Sequence, residues 1–525
     1  MDAMIKQAIA ALAALALSVP ATAQTVTRAA LQSDTPGPVI SRHIYGQFAE
    51  HLGRSVYEGI WVGPDSSIPN VRGIRSDVVG ALKAIKVPVV RWPGGCFADE
   101  YHWRDGIGPV AGRPVRKNNW WDGPESNAFG THEFFDFAEQ IGAHAYLSVN
   151  VASSNPSEMR EWIEYLTSKG QDSLARERRT NGRDAPFVVP FIGIGNESWG
   201  CGGNMTPEYY ANELRRFGTF FHKQGWGFHN NQDNTALRVA SGANNFDTNW
   251  TDVVTRNAGQ HMDAISLHYY TLTTGEWPNR NRASATGFAK NEWLEILFQA
   301  SRMDAVLKAH EAVLDKNDPN KRIGLFVDEW GSWYGPTPGT NHAHLEQQNT
   351  LRDAVLAGAT LNIFHAHAQR VRMANIAQAV NVLQAMLLTD GAKMARTPSY
   401  HVFAMYLPFQ DATVLPIELT APALLSGKDS FPAFNMTAAR GTDGKIYVAV
   451  ANMDPDRSQS IQLSLGGLAA QSVSGQVLTH ELMDAHNVPG EKEILAPKPF
   501  SGARLVKSSL QLNVPAKSVV VVRLD

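Results

Sequence analysis

The sequence predicts an α/β fold: a (β/α)8 barrel followed by a C-terminal antiparallel β-sandwich of jelly-roll type. Three observations carry that prediction. Short apolar segments alternate with helix-period segments eight times between residues 44 and 367. Nearly all of those apolar segments start greasy and end in polar or aromatic side chains. After about Pro408 the texture changes to short alternating strands separated by Gly, Pro, Asp and Asn.

The chain of 525 residues is long enough for a barrel and a second module. It opens with Lys6 ahead of an apolar run from Ala8 to Val19, then the small-residue pattern Ala21 to Ala23. This predicts an export leader over residues 1–23, cleaved near Ala23, and hence a periplasmic or secreted protein. The run is too short and alanine-rich for a membrane span. The barrel is expected over 24–407 and the sandwich over 408–525, with segment 25–38 a candidate extra sandwich strand.

The predicted barrel strands are IYGQFAEH, VPVVRWPGG, AHAYLSVNV, PFIGIGNE, LRVASGAN, DAISLHYY, IGLFVDEW and LNIFHAH. Between them lie helical segments such as Ile74 to Ile85, His132 to Ile141, Pro207 to Gln224, Asn291 to Leu314 and His344 to Ala359. Thr206 ahead of Pro207 is a good start signal. In such a barrel the C-terminal strand ends hold the active site. Those ends carry Glu50 and His51, Arg91 and Trp92, Asn150, Asn196 and Glu197, Asn244, His268 to Tyr270, Asp328 to Trp330, and His365 with His367. Solvation accounts for any one of them, but not for so many Glu, His, Trp and Tyr on one rim.

Composition narrows the partners. A formal charge of −3 offers no basic surface, so nucleic acid and anionic membranes are not expected. Thirteen Trp and thirteen Tyr suit the apolar faces of neutral sugars, although large cores use them too. The only two cysteines, Cys96 and Cys201, make neither a disulfide scaffold nor a structural zinc site by themselves. Each follows a motif placed at the active face. They are either free or joined in one bridge between neighbouring loops.

The segment GIGNESWG tests two readings. Gly193 and Gly195 begin a GxGxxG pattern, but Ser198 occupies the third glycine position and no GK[ST] follows, so phosphate binding fails. What remains is a strand delivering Asn196 and Glu197 to the barrel mouth. A second carboxylate, Glu329, ends the seventh strand across that mouth. Hydrolysis of a glycosidic bond needs such a pair, one protonated and one ionised, about 5 to 5.5 Å apart when configuration is retained.

Seven motifs together resemble clan A glycoside hydrolases and, in detail, family 51, the α-L-arabinofuranosidases. They are GQFAEHLGRSVYEGIWVG, RWPGGCFADEYHW, ESNAFGTHEF, GIGNESWGCGGNM, SLHYY, DEWGSWY and RVRMANIAQAVNVLQA. The resemblance runs from about Ile44 through the sandwich. It implies Glu197 as general acid/base, Glu329 as nucleophile, Asn196 as a ligand of the sugar 2-hydroxyl, and Tyr270 as the group that orients the nucleophile. It further implies Glu50 as a ligand of arabinose hydroxyls, Arg91 as support for the nucleophile and Trp333 as an aromatic wall, while His268 at the end of the sixth strand fits a substrate-side residue and a packed, hydrogen-bonded partner equally well. No cofactor and no metal are implied, the substrates are neutral arabinose-containing glycans, and a homo-hexamer is expected.

Two positions depart from the family pattern. Cys96 stands where many relatives place a sugar-binding Asn, and Thr397 stands near where some supply a Gln. Three other features imply no site. His365 and His367 share a strand face but lack a third metal ligand, Asp99 and Glu100 read as loop residues, and Arg176 to Arg179 read as a solvated face. The segment NNWW, Asn118 to Trp121 in a long loop after the second strand, fits core packing and a leaving-group platform equally well. The rival functions are an endo-β-1,4-glucanase or β-xylosidase on the same machinery, and a non-catalytic carbohydrate-binding barrel.

Overall fold

The computed structural model describes residues 26–32, 35, 37–223, 233–273 and 283–525. The leader over 1–23, Thr25 and the predicted helix end at Gln224 lie outside the described residues. Eight parallel strands close into a barrel in sequence order. They are Gly46–Phe48, Val89–Trp92, His144–Val149, Phe191–Ile194, Leu237–Asn244, Ala264–Thr271, Gly324–Ser332 and Val371–Ala377.

The eighth strand corrects the sequence reading. LNIFHAH belongs to the helix Leu351–Ala366, and the strand is the following VRMANIA. Every residue of that helix from Leu351 to His365 is buried, because it is pressed between the barrel and the sandwich. A helix apolar on all sides loses the 3.6-residue period that would distinguish it from a strand. His365 consequently bonds Tyr45 and Thr437, and His367 sits between Asp304 and Glu311, so neither belongs to the rim.

Two helices start at the side-chain caps that their sequences offer. Thr206 accepts from the Tyr209 amide at the start of Pro207–Thr219, with Pro207 supplying a preset φ. Asn155 does the same before Pro156–Thr167. The predicted helix from Asn291 to Leu314 divides into Lys290–Ser301 and Met303–Asn317. Among the described residues no helix is long and apolar enough to cross a membrane.

The sandwich comprises a six-stranded sheet and a five-stranded sheet. The N-terminal strand Val26–Leu31 lies in the latter, parallel to Gln459–Ser464 and antiparallel to Ile417–Leu419. Trp293 donates to the Met453 carbonyl at 2.9 Å, and Asn362 to Asn435 at 2.9 Å, stitching barrel helices to the sandwich. Inside the barrel, Val89, Tyr146, Phe191, Val239, Ala264, Phe326 and Met373 pack into one apolar cluster. Its Tyr146 hydroxyl reaches Asp328 at 2.6 Å, where the apolar layer gives way to the charged one.

Candidate active site

The fourth strand ends at Ile194, and Gly195 turns the chain at φ 84°, a conformation that glycine adopts without strain. Asn196 and Glu197 follow, and Glu197 itself is held at φ 40°, a rare and strained backbone for a side-chain-bearing residue. The loop then folds back so tightly that a Cβ on Gly202 would lie 1.7 Å from the Asn196 carbonyl oxygen. Glu329 projects from within the long seventh strand. A carboxylate oxygen of Glu197 and one of Glu329 lie within 4.8 Å of each other, with a His268 nitrogen inside the same distance.

The two carboxylates are unlike in their surroundings. Glu329 is buried and accepts from Arg91 Nη1 at 2.8 Å and from the Tyr270 hydroxyl at 2.8 Å. His268 Nδ1 stands 3.6 Å from its Oε2. Burial alone would raise this carboxyl, but His268, Arg91 and the Tyr270 hydroxyl outweigh it and hold Glu329 below the usual carboxylate range. Glu197 accepts from His268 Nδ1 at 2.9 Å, and its side chain keeps 19% of its surface against 6% for Glu329. Burial would lower His268, yet Glu329 and Glu197 outweigh it and raise its pKa.

Glu50 closes the floor. Its Oε1 accepts from Trp121 Nε1 at 2.9 Å and from the Phe97 amide at 3.1 Å, and its Oε2 from Gln378 Nε2 at 3.4 Å. Burial first, and then repulsion from Glu329, push its carboxyl up to about 7. Above these groups lies a cavity of about 400 Å³ lined by Glu50, Cys96, Trp121, Glu197, Trp199, Tyr270, Glu329, Trp333 and Gln378 among others. The Trp333 ring meets Tyr270 edge-on at 4.8 Å.

Of the residues expected to touch sugar, Glu50, Cys96, Tyr270 and Trp333 line this cavity. Arg91, Asn196 and His268 do not; they stand behind the carboxylates. Arg91 spans the two strand ends, donating to Glu329 through Nη1 and to Asn196 Oδ1 through Nη2 at 2.5 Å. Cys96 and Cys201 are joined in a disulfide with Cα atoms 5.5 Å apart, so Cys96 presents no thiol to a ligand. Thr397 lies away from the cavity: it caps Pro398–Met405 and donates to the Ala385 carbonyl at 2.7 Å. The glutamine that does reach the site is Gln378, one residue beyond the eighth strand.

Asp99 also differs from its reading as a loop residue. It is fully buried and accepts from the amides of Val151, Ala152 and Asn196 at 2.8, 3.1 and 3.0 Å. It thereby ties the loop after the second strand to the ends of the third and fourth. Trp121, left between core and platform, does neither alone: its indole N–H pins Glu50. No local sequence pattern marks these contacts, because each joins segments tens to hundreds of residues apart.

Similarity to known proteins bears on the same geometry. A model of the α-L-arabinofuranosidase 1 domain matches residues 81–282, and one of the α-L-arabinofuranosidase C-terminal domain matches residues 328–518. The chain is 45% identical over 513 residues, 97% of its length and 98% of the relative's, to an intracellular exo-α-L-arabinofuranosidase of Bacteroides ovatus. This chain belongs to glycoside hydrolase family 51. The solved family 51 arabinofuranosidase of Xanthomonas axonopodis pv. citri superposes with a TM-score of 0.92 at 48% identity, covering 95% of this chain and all of that one. An arabinose complex of the Thermotoga maritima α-L-arabinofuranosidase matches at 0.80 and 28% identity over 95% of this chain and 99% of that one. The family resemblance read from the motifs therefore holds. The expectation of export is corrected: the Bacteroides relative, similar over nearly the whole chain, is described as intracellular.

Proposed function

We propose that this family 51 enzyme is a retaining exo-α-L-arabinofuranosidase in which Glu329 is the nucleophile and Glu197 the acid/base. The observation that carries the reading is the asymmetry of two carboxylates whose oxygens lie within 4.8 Å. That separation suits a retaining pair and leaves no room for the water that an inverting mechanism places between them. Glu329, clamped by Arg91 and Tyr270, is ionised and ready to attack the anomeric carbon. Among the described residues no arginine pairs with Glu197, which faces the cavity, the position from which a proton reaches the departing glycosidic oxygen. The glycosyl–Glu329 ester is then cleaved by water that Glu197 deprotonates, and two inversions give net retention.

Glu50, Gln378 and Trp121 close the far end of the cavity, which favours removal of a terminal sugar over cleavage within a chain. Glu50 accepts from two donors on one oxygen and one on the other, so one lone pair, on Oε2, is left for a sugar hydroxyl. Neutral arabinose-containing glycans are the substrates that this floor and the aromatic walls fit. The test is hydrolysis of an aryl α-L-arabinofuranoside beside Glu197→Ala and Glu329→Gly, with β-glucan and an aryl xyloside as controls. Cleavage of the arabinofuranoside with the α-product formed first is expected. Cleavage of only the glucan or xyloside would move the specificity, and formation of the β-product first would remove the retaining mechanism.

A further inference from the structure

The disulfide lies against the acid/base residue. Cys201 Sγ is 3.5 Å from Glu197 Oε2, and Asn196 Nδ2 is 3.9 Å from the same sulfur. A bridged sulfur carries no hydrogen, so the first contact is packing and not donation. Both cysteines are partly exposed and line the cavity, where a small reductant has access. One atom each of Cys96, Cys201 and Glu197 fall within 4.8 Å of one another.

We infer that the reduced enzyme holds a thiophilic divalent cation, Zn²⁺ or Cd²⁺, between Cys96, Cys201 and Glu197, in a site that the disulfide cancels. Two thiolates and one carboxylate are three ligands of the type such ions select, with a fourth position open to water on the cavity side. Cα atoms 5.5 Å apart place two cysteines close enough to chelate one ion. Glu197 is already oriented as a ligand, since His268 holds Oε1 at 2.9 Å and leaves Oε2 toward the sulfurs. A histidine bound to the far oxygen of a ligating carboxylate is the kind of outer support metal sites use.

The balance is simple. A dithiol or phosphine reductant supplies two electrons, the Sγ–Sγ bond breaks, the reductant is oxidised, and two protons complete two thiols. The cation then displaces those two protons and binds both thiolates with the carboxylate. Thiols are kept reduced in reducing compartments and bridged in oxidising ones, so the two redox states correspond to two environments. With the cation on Oε2 and His268 on Oε1, Glu197 has no oxygen left to carry the proton it gives to the leaving group, and the loss of activity this implies rests on its role as acid/base. Cation binding itself does not.

The experiment uses the full-length enzyme, oxidised or reduced with a phosphine that is then removed, with free thiols counted in each state. Expected are no thiols and no cadmium uptake in the oxidised form. The reduced form should show two thiols, one Cd²⁺ per chain and the ultraviolet thiolate-to-cadmium charge-transfer band. Cys201→Ser should abolish the band, and Glu197→Gln should weaken binding by about tenfold or more. Equimolar Zn²⁺ should silence the reduced enzyme reversibly and spare the oxidised one. Equal uptake by both forms, two free thiols without a band, or a bridge that survives the phosphine would each overturn the site. A band from an enzyme that cleaves no arabinofuranoside in either state would leave the site standing and remove the functional reading instead.

Discussion

Glu197 and Glu329 are the same residue type at facing strand ends, yet the fold treats them differently. Glu329 lies within a regular strand and has an arginine, a tyrosine and a histidine on its oxygens. Glu197 lies three residues past a strand, in a strained turn, with the histidine as its hydrogen-bond donor. At Glu329 burial opposes charge, and the cationic and hydroxyl partners that converge on it reverse that opposition. On the roles proposed above, two carboxylates differ through their neighbours, and the neighbours are what the following variants alter.

The largest effect is a split by leaving group. Glu329→Gly should lose about 10⁴- to 10⁶-fold in kcat whatever the aglycone, since no bond to the anomeric carbon can form. Glu197→Ala should lose on the order of 10²- to 10⁴-fold on alkyl arabinofuranosides but far less in the first step on nitrophenyl ones, which need no protonation. Pre-steady-state measurement of aglycone release checks this. Equal losses on both substrate types would erase the distinction between the two residues.

A smaller effect sharpens the electrostatic side. Tyr270→Phe removes a hydroxyl that favours the ionised form of Glu329, so its pKa rises. The nucleophile must be ionised, and activity falls as pH drops through that pKa. The acid limb of kcat/KM should therefore move to higher pH, with a loss of about 10-fold or more at neutral pH. An unmoved limb would mean that Tyr270 does not set the charge of Glu329.

The smallest effect concerns stability. Glu50 is held up to about 7 against 4.5 for an ordinary Glu, so the folded chain keeps a proton that the unfolded chain has lost. Stability from this group is fully present below about 4.5, is lost as pH rises through about 7, and changes no further once both states are ionised. Glu50→Gln should flatten that decline in a thermal-melt series across the same window, while impairing catalysis. A melt series as steep as the wild type's would place the pH sensitivity elsewhere.

Much of this was legible in the sequence. Seven barrel strands follow from their apolar starts and polar ends, and the NE and DEW motifs point to the facing carboxylates. The eighth strand was not, because the helix Leu351–Ala366 is buried on all sides and carries no amphipathic period. The contacts of Asp99, Trp121 and Gln378 are not legible for another reason: each acts on a residue from a distant segment, and its local sequence is that of a loop. The bridge between Cys96 and Cys201 joins loops 105 residues apart, and no local sequence pattern places those loops side by side. Thr397 was misplaced because its short helix turns it toward Ala385 and away from the cavity.

The most direct measurement is to trap the covalent intermediate. A 2-deoxy-2-fluoro arabinofuranosyl compound with an activated leaving group should inactivate the enzyme with one sugar per chain, and peptide mapping should place that sugar on Glu329. A sugar on Glu197, or time-independent inhibition without a covalent adduct, would contradict the division of roles between the two carboxylates.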